Sequence, residues 1–267
     1  MKTSQVFPHG LRLYTDVLDL IPTMRWFASV FARGAWEPET LAVLNAFLDT
    51  DTVLLDIGAW IGPVTVLGAR KASRVVAYEP DPQAFKVLEA NVQLNACTNV
   101  SCIAAAVTDQ EGVVRLSGGT RGGRFGCSTS TVLLPADELP EAVEVQSHTF
   151  DQAVDRLALA NGERLFVKMD IEGGEGLAIP ASDLMWRTRH ATVLLVSLHT
   201  RFIGEALANA VVSHLLGHFG YDAARSVSWD AEARRARLTP VTYPLAPDFM
   251  GSILFGSRKA SFPVGWL

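Results

Sequence analysis

The sequence predicts an α/β protein with a doubly wound, mainly parallel sheet and one antiparallel edge strand. Three observations carry this. Apolar runs of four to six residues, several rich in valine, recur along the chain with helix-period patterns between them. The first of these runs ends in a glycine turn at the start of a helix, "VLLDIGAWIG" (53–62). Finally, 267 residues that are 49% hydrophobic and 19% charged suit one large core rather than disorder. Alternating strand and helix means right-handed βαβ units in an open sheet. The expected organisation is an N-terminal extension over 1–35 and one domain over 36–267.

In chain order, "IPTMRWFASVFARG" (21–34) places Met24, Phe27, Val30 and Phe31 at helical spacing, so the extension carries an amphipathic helix. That face packs on the core, or serves as a lid or a dimer surface. "TVLLDI" (52–57), "RVVAY" (74–78), "VSCIAAA" (100–106), "RLFVKMD" (164–170) and "TVLLVSLH" (192–199) read as buried strands. "GPVTVLGARKA" (62–72) and "DPQAFKVLEANVQLN" (81–95) read as the helices between the first three. In the second helix Asp81 is placed to cap and Pro82 to open the first turn. Residues 117–131, "SGGTRGGRFGCSTST", are too polar and glycine-rich to pack, and predict a long loop with Arg121 and Arg124 available to an anionic group. A helix over 203–220 and strands at 224–229 and 251–258 close the fold.

The ligand of the first turn is decided by Asp56. A dinucleotide fingerprint G-x-G-x-x-G needs a glycine there, where the backbone approaches a pyrophosphate. A carboxylate repels phosphates and suits a ligand with an ammonium and a sulfonium. Gly58 permits a positive φ or a close approach, and Gly62 permits tight packing at the helix start. Glu79 falls 23 residues after Asp56 at the end of the second strand, where an acid accepts hydrogen bonds from ribose hydroxyls. The bland alternative makes both acids ordinary strand-end residues. The sharper reading is S-adenosylmethionine.

The blocks "WEPETLAVLNAFLDTDTVLLDIGAWIGPVTVLGA", "AYEPDPQAFKVLEANVQLN", "AAVTDQEGVVRL" and "FVKMDIEGGE" follow one another in an order and spacing that resembles the FkbM-type S-adenosylmethionine-dependent methyltransferases, from about Trp36 to Arg258. The resemblance implies a Rossmann-like class I methyltransferase fold with a seven-stranded mixed sheet. It implies O-methylation of sugars and secondary metabolites. By the same resemblance Glu37, Asp56, Gly58, Ala59, Gly62, Thr65 and Glu79 line the cofactor, with Ala106 near the adenine. Trp60 stands where that family usually has asparagine, and Pro63 where an aromatic is common.

Methyl transfer to a hydroxyl needs alignment and a base for the departing proton. "KMDIEGGE" supplies Asp170, Glu172 and Glu175 just past a buried strand, and alternation puts Asp170 and Glu172 on one side. Three carboxylates so close require a cation or a shared proton, the cation being the sulfonium, a metal or Lys168. Asp170 is assigned to the cofactor's cationic end or the acceptor hydroxyl, and Glu172 is the stronger base candidate. Glu175 reads as a helix cap. His199, at the tip of the fifth strand, is a further catalytic candidate. A divalent metal on Asp170, Glu172 and His199 would be reasonable chemistry, but nothing in the sequence demands one. His214 and His218, four apart without H-E-x-x-H, read as structural.

The formal net charge of −5 leaves no electrostatic footprint for a phosphate backbone, so a nucleic-acid partner is not expected. Cys97, Cys102 and Cys127 form no C-x-x-C pair and read as reduced thiols. The N-terminal residues lack a signal-peptide pattern and no membrane span is evident, which gives a cytoplasmic expectation. Self-association stays open. The expected activity is O-methylation of a sugar, glycan or secondary metabolite. A nicotinamide-dependent oxidoreductase and a non-catalytic S-adenosylmethionine-binding protein are the alternatives.

Overall fold

A computed structural model describes residues 4–6, 10–14, 24–118, 131–132 and 142–257. The body of the glycine-rich loop, with Arg121, Arg124 and Cys127, lies outside the described residues.

Strands β1 (Ser4–Val6) and β2 (Arg12–Tyr14) form an antiparallel pair, followed by helices α1 (Met24–Ala32) and α2 (Pro38–Phe47). The winding then begins with β3 (Thr52–Ile57), α3 (Pro63–Ala69), β4 (Arg74–Tyr78), α4 (Pro82–Leu94) and β5 (Val100–Ile103). A side sheet consists of β6 (Ala105–Thr108), β7 (Gly112–Ser117) and β8 (Ala142–Thr149). Next come α5 (Phe150–Asp155), β9 (Arg164–Met169), α6 (Glu175–Ala178), β10 (Thr192–His199) and α7 (Thr200–Phe219). Strands β11 (Ala224–Asp230), β12 (Arg235–Pro240) and β13 (Met250–Gly256) are the last elements among the described residues.

The main sheet has the order β12-β11-β13-β10-β9-β3-β4-β5, with β10, β9, β3, β4 and β5 parallel. The doubly wound α/β class is as the sequence predicts, with two differences. The sheet has eight strands rather than seven. Its antiparallel strands are also two, since β13 inserts antiparallel between β10 and β11, and β12 pairs antiparallel on the far edge of β11. β13 is interior because Ile253, Leu254 and Phe255 are buried on both of its faces. β12, "RARLTP", lacks an apolar run and exposes Arg235, which suits an edge that must not recruit another strand.

The run 100–106 is likewise two strands. β5 pairs with β4 in the main sheet, whereas β6 leaves it to pair with β8. Hydrophobicity is continuous across Ala104, so it carries no mark of the change of partner.

Period-two alternation sends Val53, Leu55 and Ile57 to one core with Val211 and Leu215 of α7. Leu54, Phe166, Leu195 and Leu254 face the other way, against Val43 and Leu44 of α2 and Val64 of α3. Asp81 caps α4 by accepting from the Gln83 and Ala84 amides at 2.8 and 3.1 Å, as its position predicts.

The extension shares a core with the first turn. Leu11, Leu13, Phe27 and Phe31 pack with Ala59, Ile61 and Leu88. Phe27 is fully buried, with its ring centroid 5.3 Å from Trp36 and 5.0 Å from Trp60, edge-on to both. Such contacts add to the burial of a large ring. Phe27→Ala is therefore expected to cost about 3–5 kcal/mol in urea unfolding, as for an interior phenylalanine. A change under about 1 kcal/mol would mean that the extension is only appended.

Candidate active site

The carboxyl ends of β3, β4, β9 and β10 converge on one edge of the sheet, where a winding reversal opens a crevice. Between β3 and α3 the turn 58–62 bends on Gly58 (φ +81°) and Gly62 (φ +88°). A Cβ on Gly58 would lie 1.9 Å from the Asp170 carbonyl oxygen, so the turn and the end of β9 meet only because glycine is there. The Gly58 and Ala59 amides both donate to the Tyr78 carbonyl at 3.0 Å.

Parallel pairing of β3 with β9 sets Asp56 beside Lys168. Lys168 is buried, 3.8 Å from Asp56 Oδ1 and 3.7 Å from Asp170 Oδ2, and donates to the Gly58 carbonyl at 3.1 Å. Burial works against its charge, but Asp170, Asp56, Glu37 and Glu79 outweigh it and hold the ammonium firmly protonated. Asp56 is fully buried and its Oδ2 accepts from Thr65 Oγ1 at 2.6 Å. Burial pushes its carboxyl up, against Lys168 and Thr65.

At the end of β4, Glu79 Oε2 accepts from the Trp60 amide and Oε1 from the Asp81 amide, each at 2.8 Å. Burial raises it to about 7. Each oxygen keeps a second lone pair for a hydroxyl.

A second cluster joins the turn after β9 to the tip of β10. His199 Nε2 lies 3.6 Å from Asp170 Oδ1 and 3.7 Å from Glu172 Oε2, and its Nδ1 lies 3.6 Å from Glu175 Oε1. Glu175 is fully buried and accepts from the Ile171 amide at 2.7 Å and the Gly173 amide at 2.8 Å. It braces the turn, close to the capping role expected. Burial lifts Glu172 to about 8, with Asp170 and Glu175 adding to the rise and His199 opposing it. Burial alone would lower His199, but Glu175, Asp170 and Glu172 override it and raise it to about 9.

Two clefts meet here. The first has about 540 Å3 of space, including its solvent-open mouth, and is walled by Ile57, Tyr78, Ala106, Val107, Leu116 and Val132, with Glu79 at one side. The second is lined by Trp36, Glu37, Ala59, Lys168 and His199. Gly58, Trp60, Asp170 and Glu172 line both. Glu37 (φ +39°), Trp60 (φ +50°) and Glu172 (φ +54°) all hold left-handed backbone, a strain that collects at functional sites. Asparagine tolerates that conformation better than tryptophan does, so the family's usual asparagine at position 60 fits the same backbone.

The family described as "Methyltransferase FkbM domain" matches residues 56–221. The chain belongs to the FkbM methyltransferase family. It is an S-adenosylmethionine-dependent methyltransferase. No curated protein matches this FkbM methyltransferase. Among solved structures it is similar to a methyltransferase FkbM from Methylobacillus flagellatus KT, at 16% identity and a TM-score of 0.45 over 90% of this chain and 60% of that one. It is also similar to a precorrin-6y methyltransferase from Geobacter metallireducens GS-15, at 15% identity and a TM-score of 0.42 over 82% and 88%. An rRNA methylase from Streptococcus thermophilus shows 10% identity and a TM-score of 0.43 over 82% and 95%.

The FkbM fold brings Glu37, Ala59, Asp170, Glu172 and His199 to the second cleft, and Glu79 and Ala106 to the first. Asp56, Thr65 and Gly62 lie beneath, lining neither. Asp56 is fully buried and meets Lys168 and Thr65 rather than either cleft. Lys168 emerges as the hub of the site. Its signal in the sequence was a lysine inside the apolar run that follows Arg164 in β9. Asp170, Glu175 and His199 offer atoms within 4.8 Å of one another, a donor set that would suit a divalent cation. Both Glu175 oxygens already accept backbone amides, which makes it a brace for the turn first. Among the described residues, no helix is long and apolar enough to cross a membrane.

Glu37 and Glu79 at about 7, Glu172 at about 8 and His199 at about 9 all lie above their unfolded values. A raised folded pKa gives stability that is complete below the unfolded value and is lost as pH rises through the folded one. The ligand-free protein is expected to show a falling Tm from about pH 5 to pH 9 by scanning calorimetry. A Tm that rises across that window would contradict this charge arrangement.

Proposed function

We propose that the enzyme methylates a hydroxyl of a small molecule, a sugar, glycan or secondary metabolite, with Glu172 as the general base. One observation carries this reading. Glu172 sits where the two clefts meet, is raised to about 8, and has a charged His199 3.7 Å away. A carbon or nitrogen nucleophile with a free pair needs no such group, whereas an alcohol of high pKa does.

Residues 36–267 form the catalytic domain, and 1–35 complete its cofactor turn. Glu79 holds the ribose hydroxyls, with Ala106 in the adenine wall. Glu37, Ala59 and Asp170 border the cationic end. Gly58, Gly62, Asp56 and Thr65 shape the turn from below. S-adenosylmethionine supplies an electrophilic methyl, its sulfur taking back the bonding pair as the methyl leaves. Ionised Glu172 takes the acceptor's proton, and protonated His199 steadies the carboxylate until it does. Asp170 orients the acceptor hydroxyl, while Trp60 and Trp36 exclude water. The carboxylates around the second cleft disfavour a phosphate backbone, which supports a small acceptor over a nucleic acid.

Glu172→Gln is expected to lower kcat about 10²–10⁴-fold, the range of a lost general base. Cofactor affinity, read by calorimetry, should stay within about threefold. In the wild type kcat/KM should climb through about pH 8 and fall again above about pH 9, where His199 loses its proton, and the variant should lose the rising limb. A glutamine variant with full turnover removes Glu172 from the chemistry.

Because Glu175 is committed to backbone amides and His199 carries its own positive charge, turnover is expected to survive exhaustive chelation. Loss on chelation with recovery on adding magnesium or manganese would instead make Asp170, Glu175 and His199 a metal site.

A further inference from the structure

Helix α4 packs its apolar side with Ala84, Val87, Leu88 and Val92, and Asn91 is buried among them. A fully buried amide in such a row has to be satisfied, and Asn91 is, by two separate parts of the chain. Its Oδ1 accepts from the Tyr14 amide of β2 at 3.1 Å, and its Nδ2 donates to the Ile61 carbonyl in the 58–62 turn at 2.8 Å. One side chain therefore links the N-terminal hairpin to the turn that seats the cofactor. A carboxylate lacks the donor for Ile61 and an aliphatic side chain lacks both groups.

A helical turn later, Asn95 binds both backbone groups of Arg12, accepting from its amide at 3.0 Å and donating to its carbonyl at 2.7 Å. The Arg70 guanidinium, just past α3, donates to the Gly10 carbonyl at 2.8 Å. Among the described residues these three side chains hold the hairpin backbone, and Asn91 carries its hydrogen bonding on into the turn, beside the apolar packing of Leu11 and Leu13 with Ala59 and Ile61.

We propose that Asn91 is a positioning residue for cofactor binding, fixing the Ile61 carbonyl and with it the turn 58–62, and coupling that turn to the Tyr14 amide. This rests on the reading of the turn as the cofactor seat. Since a buried amide is also a packing element, the test needs readouts that packing alone would not move.

S-adenosylhomocysteine is titrated into the full-length protein by calorimetry. No heat with the wild type would remove the seat itself, a failure distinct from that of the present inference. With wild-type binding in hand, Asn91→Leu keeps the side chain's branched shape, with bulkier methyl groups for the amide, removes both bonds, and should weaken affinity about tenfold. Asn95→Ala, which releases Arg12 together with the Asn91 carbonyl and Arg70 but leaves the Asn91 side-chain bonds to Tyr14 and Ile61, should weaken it less than threefold. Affinity of Asn91→Leu within twofold of wild type overturns the proposal. So does an Asn95→Ala loss as large as that of Asn91→Leu, since the hairpin would then act through docking rather than through this amide. If Asn91→Leu does not fold, amide exchange of the wild type decides: S-adenosylhomocysteine should slow exchange at Tyr14 at least threefold, and unchanged exchange there overturns the coupling.

Discussion

The site depends on one buried ammonium. Lys168 is charged in a place with almost no water because Asp56 and Asp170 flank it and the Gly58 carbonyl accepts a hydrogen bond from its ammonium. Each partner holds the others. Without the lysine, two carboxylates would face each other in low dielectric, and without either acid a buried cation would lie uncompensated. The same contact fixes where the turn after β3 lies relative to the end of β9, the distance across which Gly58 meets the Asp170 carbonyl. Charge balance and backbone geometry are therefore one constraint, and both clefts border on its members Gly58 and Asp170.

Above this anchor the site is a store of protons. Glu37, Glu79, Glu172 and His199 all bind protons more tightly than in water, for two different reasons. The glutamates are raised chiefly by burial, the histidine by the carboxylates around it. On the proposed reading, a bound sulfonium adds positive charge to this cluster and eases ionisation of Glu172.

The extension belongs to the same construction. The rings of Phe27, Phe31, Trp36 and Trp60 form one aromatic wall, and Trp60 is also a residue of the cofactor turn. A left-handed backbone at Trp60 is held by its amide bond to Glu79 and by this packing. In the same region, the asparagines of α4 receive the hairpin backbone.

Much of this was legible in the sequence. β3, β4 and β10 run over the residues that their valine-rich patterns mark, Asp81 caps α4, and the acid–glycine turn and Glu79 fall at the ends of β3 and β4 as their spacing predicts. These are local signals, in which burial on both faces and the needs of a helix start are written in neighbouring residues. The resemblance to the family rested on the same blocks. What only the tertiary structure decided is pairing across distance. The break at Ala104, the insertion of β13 between β10 and β11, and the polar β12 at the edge all turn on which strand supplies the partner, and no residue records that. Likewise, Asp56 carries the same side chain whether it faces a ligand or a lysine; the register of β3 against β9, which places it on Lys168, comes from packing of the whole sheet.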